Sequence, residues 1–418
     1  MTFRLGLIAC LTGTVLLSAA ATRAAEPAKA AQAKTAEALP VASDVRVGGD
    51  DKATRFVLDL TQKVDIAAFT LADPYRVVID LPQVAFKLPA NAGEHARGLI
   101  KAFRYGLVMK GGSRIVIDVK VPVRVDKAFT LPAADNMPAR LVLELSPTDR
   151  DSFLRTIALA DHSRRVAPSS HNWPAPATDN DPRPLIVLDP GHGGIDTGSR
   201  APSNGTNEKD VVLSFAHTLR AALEKTGKYR VAMTRSDDTF IPLGGRVQFA
   251  RQRHAALFVS IHADYLPRNE GQADGASIYT LSERASDATA ARLAEAENKA
   301  DVIAGVDLSA EPDDVANILV DLAQRETKSF SVQFARTAMG ELKPVTPLHL
   351  HPVKSAGFKV LTAPDVPSVL LELGYMSTKS DLDHLTSPVW RSRTAAALVQ
   401  AIDTFFAPRL AGAANAAR

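Results

Sequence analysis

One hexapeptide pattern, Arg-x-Val-apolar-acid-apolar, recurs four times in the first 150 residues. Its copies are RFVLDL (55–60), RVVIDL (76–81), RIVIDV (114–119) and RLVLEL (140–145). Side chains of an extended chain alternate between two faces. Arg55, Val57 and Asp59 therefore share one face, while Phe56, Leu58 and Leu60 share the other. The first two copies, with the segment between them, look duplicated in the last two. Strands with one apolar face must bury it against another layer, which predicts a small all-β domain over residues 43–147, two sheets packed on their apolar faces. The repeat carries no His, Cys or carboxylate cluster, so by itself it reads as a structural or binding module.

Residues 148–183 mix Arg, Ser, Pro, Asn and Asp without sustained apolar periodicity and read as a flexible linker. From residue 184 the pattern changes: apolar runs alternate with helical spacing. Strands are expected at 185–188, 229–235, 256–261, 276–281 and 366–373, with helices at 208–226, 243–253 and 388–406. This alternation predicts a three-layer α/β domain over residues 184–408 around a mixed or mostly parallel sheet. Between the strands at 276–281 and 366–373 lies a helix-forming stretch of about 283–345, longer than a minimal crossover needs.

The chemistry gathers at the ends of the expected strands. The first runs into Asp-Pro-Gly-His-Gly-Gly (189–194), putting His192 in a loop whose glycines allow close backbone approach. Glu208 opens the following helix, His262 ends the apolar run 258–261, and Glu372 lies within VLLELGY (369–375). Two imidazoles and one carboxylate suit a catalytic zinc that keeps a position for water, with a second carboxylate as base. Residue chemistry alone leaves the roles of Glu208 and Glu372 exchangeable. Asp189 either orients a ligand imidazole or ends its strand, and the structural role is favoured. Arg246 reads as a helix-start ion pair rather than a substrate contact, and His349 and His351 as surface or packing residues.

The chain has 418 residues, enough for two or more domains. Its net charge of +3 and its lack of a basic stripe with interleaved aromatics argue against nucleic acid. Residues 1–25 read as a secretory signal, with Arg4, an apolar core at 5–17 and a small-residue cleavage region. The apolar core is too short for a stable membrane anchor. Cys10 is the single cysteine and lies within that signal, so any metal site must use His and carboxylates.

The pieces DPGHGG (189–194), NEKD (207–210), SIHAD (260–264) and PSVLLELGYMS (367–377) resemble, in order and spacing, the zinc-dependent N-acetylmuramoyl-L-alanine amidases of the amidase-3 family. Residues 43–147 resemble the AMIN domain, which implies septal targeting through peptidoglycan. The resemblance implies His192, Glu208 and His262 as Zn2+ ligands and Glu372 as catalytic base. It also implies a periplasmic enzyme that trims stem peptides during daughter-cell separation. The stretch 283–345 is similar to the insertion of cell-division amidases whose helix covers the metal. Glu297 is then the expected autoinhibitory residue, Glu295 the runner-up, and a LytM-type activator protein the expected partner. Two other readings stand beside this one: an inactive peptidoglycan-binding scaffold, and a zinc peptidase acting within the stem peptide.

Overall fold

The computed structural model describes residues 39–416, apart from positions 73, 90, 95 and 110 and the segments 165–180, 266–273 and 306–317. The expected signal, residues 1–25, lies outside the described residues. The N-terminal part is built from β1 (Val41–Gly49), β2 (Thr54–Leu60), β3 (Ala67–Leu71), β4 (Arg76–Pro82), β5 (Ala85–Phe86), β6 (Ile100–Met109), β7 (Gly112–Val119), β8 (Val123–Leu131) and β9 (Ala139–Pro147). They form two sheets, in the orders β5-β1-β2-β9-β8 and β3-β4-β7-β6.

The four hexapeptides become the four central strands, and they sort in a way the linear repeat does not reveal. The first and last copies pair antiparallel in one sheet, with Phe56 opposite Leu143 and Leu58 opposite Leu141. The second and third pair in the other, with Val77 opposite Ile117 and Ile79 opposite Ile115. Their apolar faces meet in a shared core with Phe103 and Leu145. The two outer faces differ: Arg55 is exposed, whereas Arg76, Val78 and Val116 are buried.

The linker reading is corrected in its first half, because Arg150–Arg164 form a helix, α1. Asp149 accepts the Ser152 N–H at 2.8 Å, as an N-terminal cap does, and Phe153 packs edge-on against Tyr75 at 5.2 Å. One capped end and one buried ring are enough for a helix without repeating apolar spacing.

The C-terminal domain comprises β10 (Leu185–Pro190), α2 (Glu208–Lys225), β11 (Arg230–Met233), α3 (Leu243–Gln252), β12 (Leu257–His262), β13 (Ala276–Leu281), α4 (Ala288–Glu297), α5 (Ala300–Ile303), α6 (Ile318–Leu342), β14 (Leu348–Ala356), β15 (Ser368–Glu372), α7 (Lys379–Thr386) and α8 (Pro388–Ala416). The strands order as β11-β10-β12-β15-β13-β14. Pairing is parallel except between β13 and β15, so the sheet is mixed. One face is covered by α2, α6 and α8 through Phe215, Leu219, Phe334, Leu398 and Phe405. The other is covered by α3 and α4 and by the β3-β4-β7-β6 sheet through Leu71, Val78 and Val116. No helix among the described residues is long and apolar enough to cross a membrane.

Two further differences have local causes. The helix-forming stretch 291–306 breaks at Asn298 and Lys299, where the Asn298 side chain donates to Gly357 O and accepts from Lys359 N, both at 2.8 Å. β14, which contains His349 and His351, is an edge strand, the one sheet position that tolerates its internal Pro352. Leu371 is fully buried in central strand β15, one residue before Glu372. Leu371→Ala should cost about 2–5 kcal/mol, read as a lowered urea midpoint for the protein.

Candidate active site

Parallel strands β10, β12 and β15 lie side by side and end together, the usual place for a site in an open α/β sheet. His192 follows β10 by two residues, His262 is the last residue of β12, and Glu372 is the last of β15. His262 and Glu372 are direct neighbours in the register. Glu208 reaches the same point from the first turn of α2, which packs on this sheet.

His192, Glu208 and His262 form a buried group whose candidate ligand atoms lie within 4.8 Å of one another. Glu208 Oε1 stands 3.1 Å from His192 Nε2 and 3.3 Å from His262 Nδ1. Backbone N–H groups fix the Glu208 carboxylate: Ala263 donates to Oε1 and Ser199 to Oε2, each at 2.9 Å. His192 Nε2 and His262 Nδ1 are buried without a hydrogen-bond partner among the described residues. Buried polar atoms are rarely left so. Two such nitrogens facing one carboxylate oxygen fit a metal ion, which would be their missing partner. Glu208, rather than Glu372, supplies the carboxylate that meets both imidazoles.

The loop around His192 explains its glycines. His192 itself has φ +58, a left-handed conformation uncommon for a side-chain-bearing residue. A Cβ at Gly191 would lie 2.4–2.9 Å from the His262 ring, and one at Gly198 would lie 2.6 Å from His192 Cδ2. These positions admit only hydrogen because the two imidazoles pass directly over the backbone.

Below the site lies a buried ion pair. Arg246 Nη1 donates to Asp189 Oδ1 at 2.8 Å and to Pro190 O at 2.9 Å, and Nη2 donates to His192 O at 2.7 Å. Asp189 also accepts from the Thr234 and Ser260 hydroxyls at 2.6 and 2.7 Å. Arg246 thus makes the helix-start ion pair read from the sequence, whereas Asp189 does not end its strand, which runs on to Pro190, but is the partner in that pair. Arg235 adds a second tie, donating to Gly191 O and Lys209 O at 2.7 and 2.9 Å, and burial pulls its pKa down to about 10.

Two acids were not singled out by the sequence reading. Asp196 Oδ2 accepts from His192 Nδ1 at 2.9 Å, the kind of contact that orients a metal-binding imidazole. Its signal was its position four residues after His192, but only the fold-back of the loop turns it inward. Asp264 accepts from Ser199 Oγ at 2.7 Å, while its N–H donates to Glu372 Oε2 at 3.1 Å. Glu372 Oε1 has no partner among the described residues.

The local charge balance is unusual. Burial, then Asp264, Glu208 and Glu297, push the Glu372 carboxyl well above the usual range. Burial, with Glu208 and Glu297, lifts Asp264 to about 7. Burial favours neutral His192, but Glu208, Asp196 and Glu297 outweigh it and hold its pKa well above an ordinary imidazole. The site has an excess of buried acid, the electrostatic setting in which a cation is bound.

Glu297, at the end of α4, is buried here too, its Oε2 3.2 Å from His262 Nδ1 and 3.7 Å from His192 Nε2. Glu295 points outward and pairs with Lys299 at 2.8 Å. The space left beside His192, His262, Glu297, Asn298 and Ala300 is a cavity of about 10 Å³, one water at most. His349 is half-buried and His351 exposed, both on edge strand β14 away from this cluster.

The ion pair makes acid sensitivity predictable. Burial alone would raise the Asp189 pKa, but Arg246 and the two hydroxyls outweigh it and lower it. The unfolded carboxyl therefore binds protons more readily, so this stabilisation is complete above about pH 4 and is lost as pH falls through the folded value. Arg246→Met strands a buried carboxylate and should cost about 3–5 kcal/mol at pH 7. Asp189→Asn combined with Arg246→Met should cost less than the single change. Urea titrations at pH 7 and pH 3.5 measure both effects.

Residues 186–404 match the family model described as N-acetylmuramoyl-L-alanine amidase, and residues 44–145 match that of the AMIN domain. A relative from Escherichia coli O6:H1, N-acetylmuramoyl-L-alanine amidase AmiC, is 32% identical over 87% of this chain and 89% of its own. The AmiC of Neisseria meningitidis serogroup B is 34% identical over 91% and 94%. A crystal structure of an N-acetylmuramoyl-L-alanine amidase from Clostridium difficile 630 aligns with 54% of this chain and 98% of that one, at 23% identity and TM-score 0.38. Over the scaffold and stem-peptidase alternatives, the family models and the two AmiC relatives favour an N-acetylmuramoyl-L-alanine amidase. The chain belongs to the N-acetylmuramoyl-L-alanine amidase family, with an AMIN domain ahead of its catalytic domain.

Proposed function

We propose that this enzyme uses zinc to cut the amide between the lactyl group of N-acetylmuramic acid and L-alanine, and that Glu297 holds it closed until a partner opens it. The observation carrying this reading is the convergence of His192 Nε2, His262 Nδ1 and Glu208 Oε1, with Glu297 Oε2 against the same two nitrogens. His192, Glu208 and His262 are the metal ligands. When bound there, zinc supplies Lewis acidity, polarising the amide carbonyl and making water acidic enough to lose a proton near neutrality. Glu372 takes that proton at Oε1 while the Asp264 N–H holds Oε2, and returns it to the leaving L-alanine nitrogen. A carboxyl raised above its usual range by burial and neighbouring acids suits a group that must both accept and donate. Asp196 keeps the His192 ring turned towards the metal.

Glu297 supports the closed-state reading because its carboxylate lies against both candidate ligand imidazoles, and the remaining cavity has no room for a muramoyl peptide. Opening then needs α4 to move, which fits control by an activator of the LytM type. The similarity to the AmiC proteins, together with the signal-like residues 1–25, supports a periplasmic enzyme acting in daughter-cell separation.

Two outcomes test the chemistry and the closure separately. Glu372→Gln should lower the release of stem peptides bearing a free L-alanine amine from purified sacculi by about 10²–10⁴-fold. Its zinc content, measured by elemental analysis, should remain that of the parent. Release that persists in this variant removes Glu372 from the mechanism. Glu297→Ala should raise release by the mature protein at least about tenfold, the change expected when one charge-assisted contact is removed.

A further inference from the structure

Residues 300–305, directly after the helix that carries Glu297, do not rest on the catalytic domain alone. α5 is seated on the outer face of the β3-β4-β7-β6 sheet, where three arginines take four successive carbonyls. Arg76 Nη1 donates to Val302 O at 2.6 Å and Arg104 Nε to Ile303 O at 2.8 Å. Arg114 Nη1 donates to Ala304 O at 3.3 Å and to Gly305 O at 2.9 Å. Guanidinium groups are matched to backbone carbonyls at the end of a helical turn; of these, Val302 O also accepts the Gly305 N–H at 3.1 Å.

The arginines are set in advance. Asp118 holds Arg104 through two bonds of 2.8 Å, and Asp80 holds Arg114 through bonds of 2.6 and 3.0 Å. Both acids come from the hexapeptide repeat, as do Arg76 and Arg114. Between the arginines, Val78 and Val116 are opposite one another in the register and form an apolar floor. Gly305 sits on that floor with φ +67, and a Cβ there would lie 3.0 Å from Val116 and 3.1 Å from Val78.

The sister sheet shows that folding does not require this face to be covered. There the equivalent Arg55 pairs with Glu144 at 2.6 Å and is 63% exposed. The same hexapeptide therefore folds with its outer face open, and the docking of residues 302–305 is an addition made by one sheet.

We propose that this face of the AMIN domain is the docking surface for the blocking segment, and that it keeps Glu297 against the metal-site imidazoles. The proposal rests on the closed-state reading above. Val302 lies only five positions after Glu297, less than two helical turns, so release of the carbonyls loosens the end of α4. The AMIN domain is then a second lock on catalysis, and opening the site requires this contact to be given up.

The test compares the zinc-loaded mature protein with Glu297→Ala, Arg104→Gln combined with Arg114→Gln, and Gly305→Val. The last attacks the contact from the segment's side and leaves every arginine in place. Stem-peptide release from sacculi and amide hydrogen exchange across residues 288–305 are measured for each. Docking predicts that the arginine pair and Gly305→Val both exchange at least about tenfold faster over 288–305 and release product at rates approaching Glu297→Ala. If Glu297→Ala raises release while the other two keep parental release and exchange, the docking proposal is overturned and the blocking role of Glu297 stands. If Glu297→Ala leaves release unchanged, the blocking reading falls and takes the inhibitory role of docking with it. In that case, exchange still reports whether the arginines hold the segment.

Discussion

Burying several ionisable groups at one point is the constraint around which this molecule is arranged. His192, Glu208, His262, Glu297 and Glu372 all lie out of water at the ends of three adjacent strands. Such a cluster is tolerated only where hydrogen bonds, protons or a cation compensate the charge. The surroundings meet this demand in layers. Backbone N–H groups hold Glu208 and one oxygen of Glu372, and Asp196 holds one nitrogen of His192. Beneath them, Arg246 and Asp189 lock the β10 loop. Among the described residues, two imidazole nitrogens and one Glu372 oxygen remain without partners, and the proposed metal and water chemistry would act there.

The duplicated β domain shows how one sequence solution can serve two purposes. Four copies of the same alternating hexapeptide build one sandwich core, since Phe56, Val77, Ile115 and Leu141 all point inward. On the outer surfaces the same Arg and acid positions diverge. In one sheet Arg55 pairs with Glu144 across strands in solvent, while in the other Arg76 and Arg114 also take backbone carbonyls of residues 302–305. The difference comes from what lies opposite, not from the repeat.

Much of the site was legible because its residues sit where local patterns change. His192 and His262 stand where apolar runs stop, and Gly191 and Gly198 register backbone crowded by imidazoles. The helix at 150–164 was less visible because a single buried ring, Phe153, anchors it. β14 was masked by Pro352 and by an exposed edge whose alternation carries little apolar signal. Asp196 was hidden by a loop that folds back on itself, a non-local event with no periodicity.

The sequence by itself determined the two domain types, the order of the catalytic elements and the candidate metal-binding side chains. Alternation, helical spacing and strand-end motifs are all local, and each can be read within a dozen residues. Only the tertiary structure decided which carboxylate meets the imidazoles, that Glu297 rather than Glu295 turns into the site, and that the AMIN domain grips the segment beyond it. Those outcomes depend on contacts between residues as many as 226 positions apart. Packing geometry sets such contacts, and no short-range pattern in the chain encodes it.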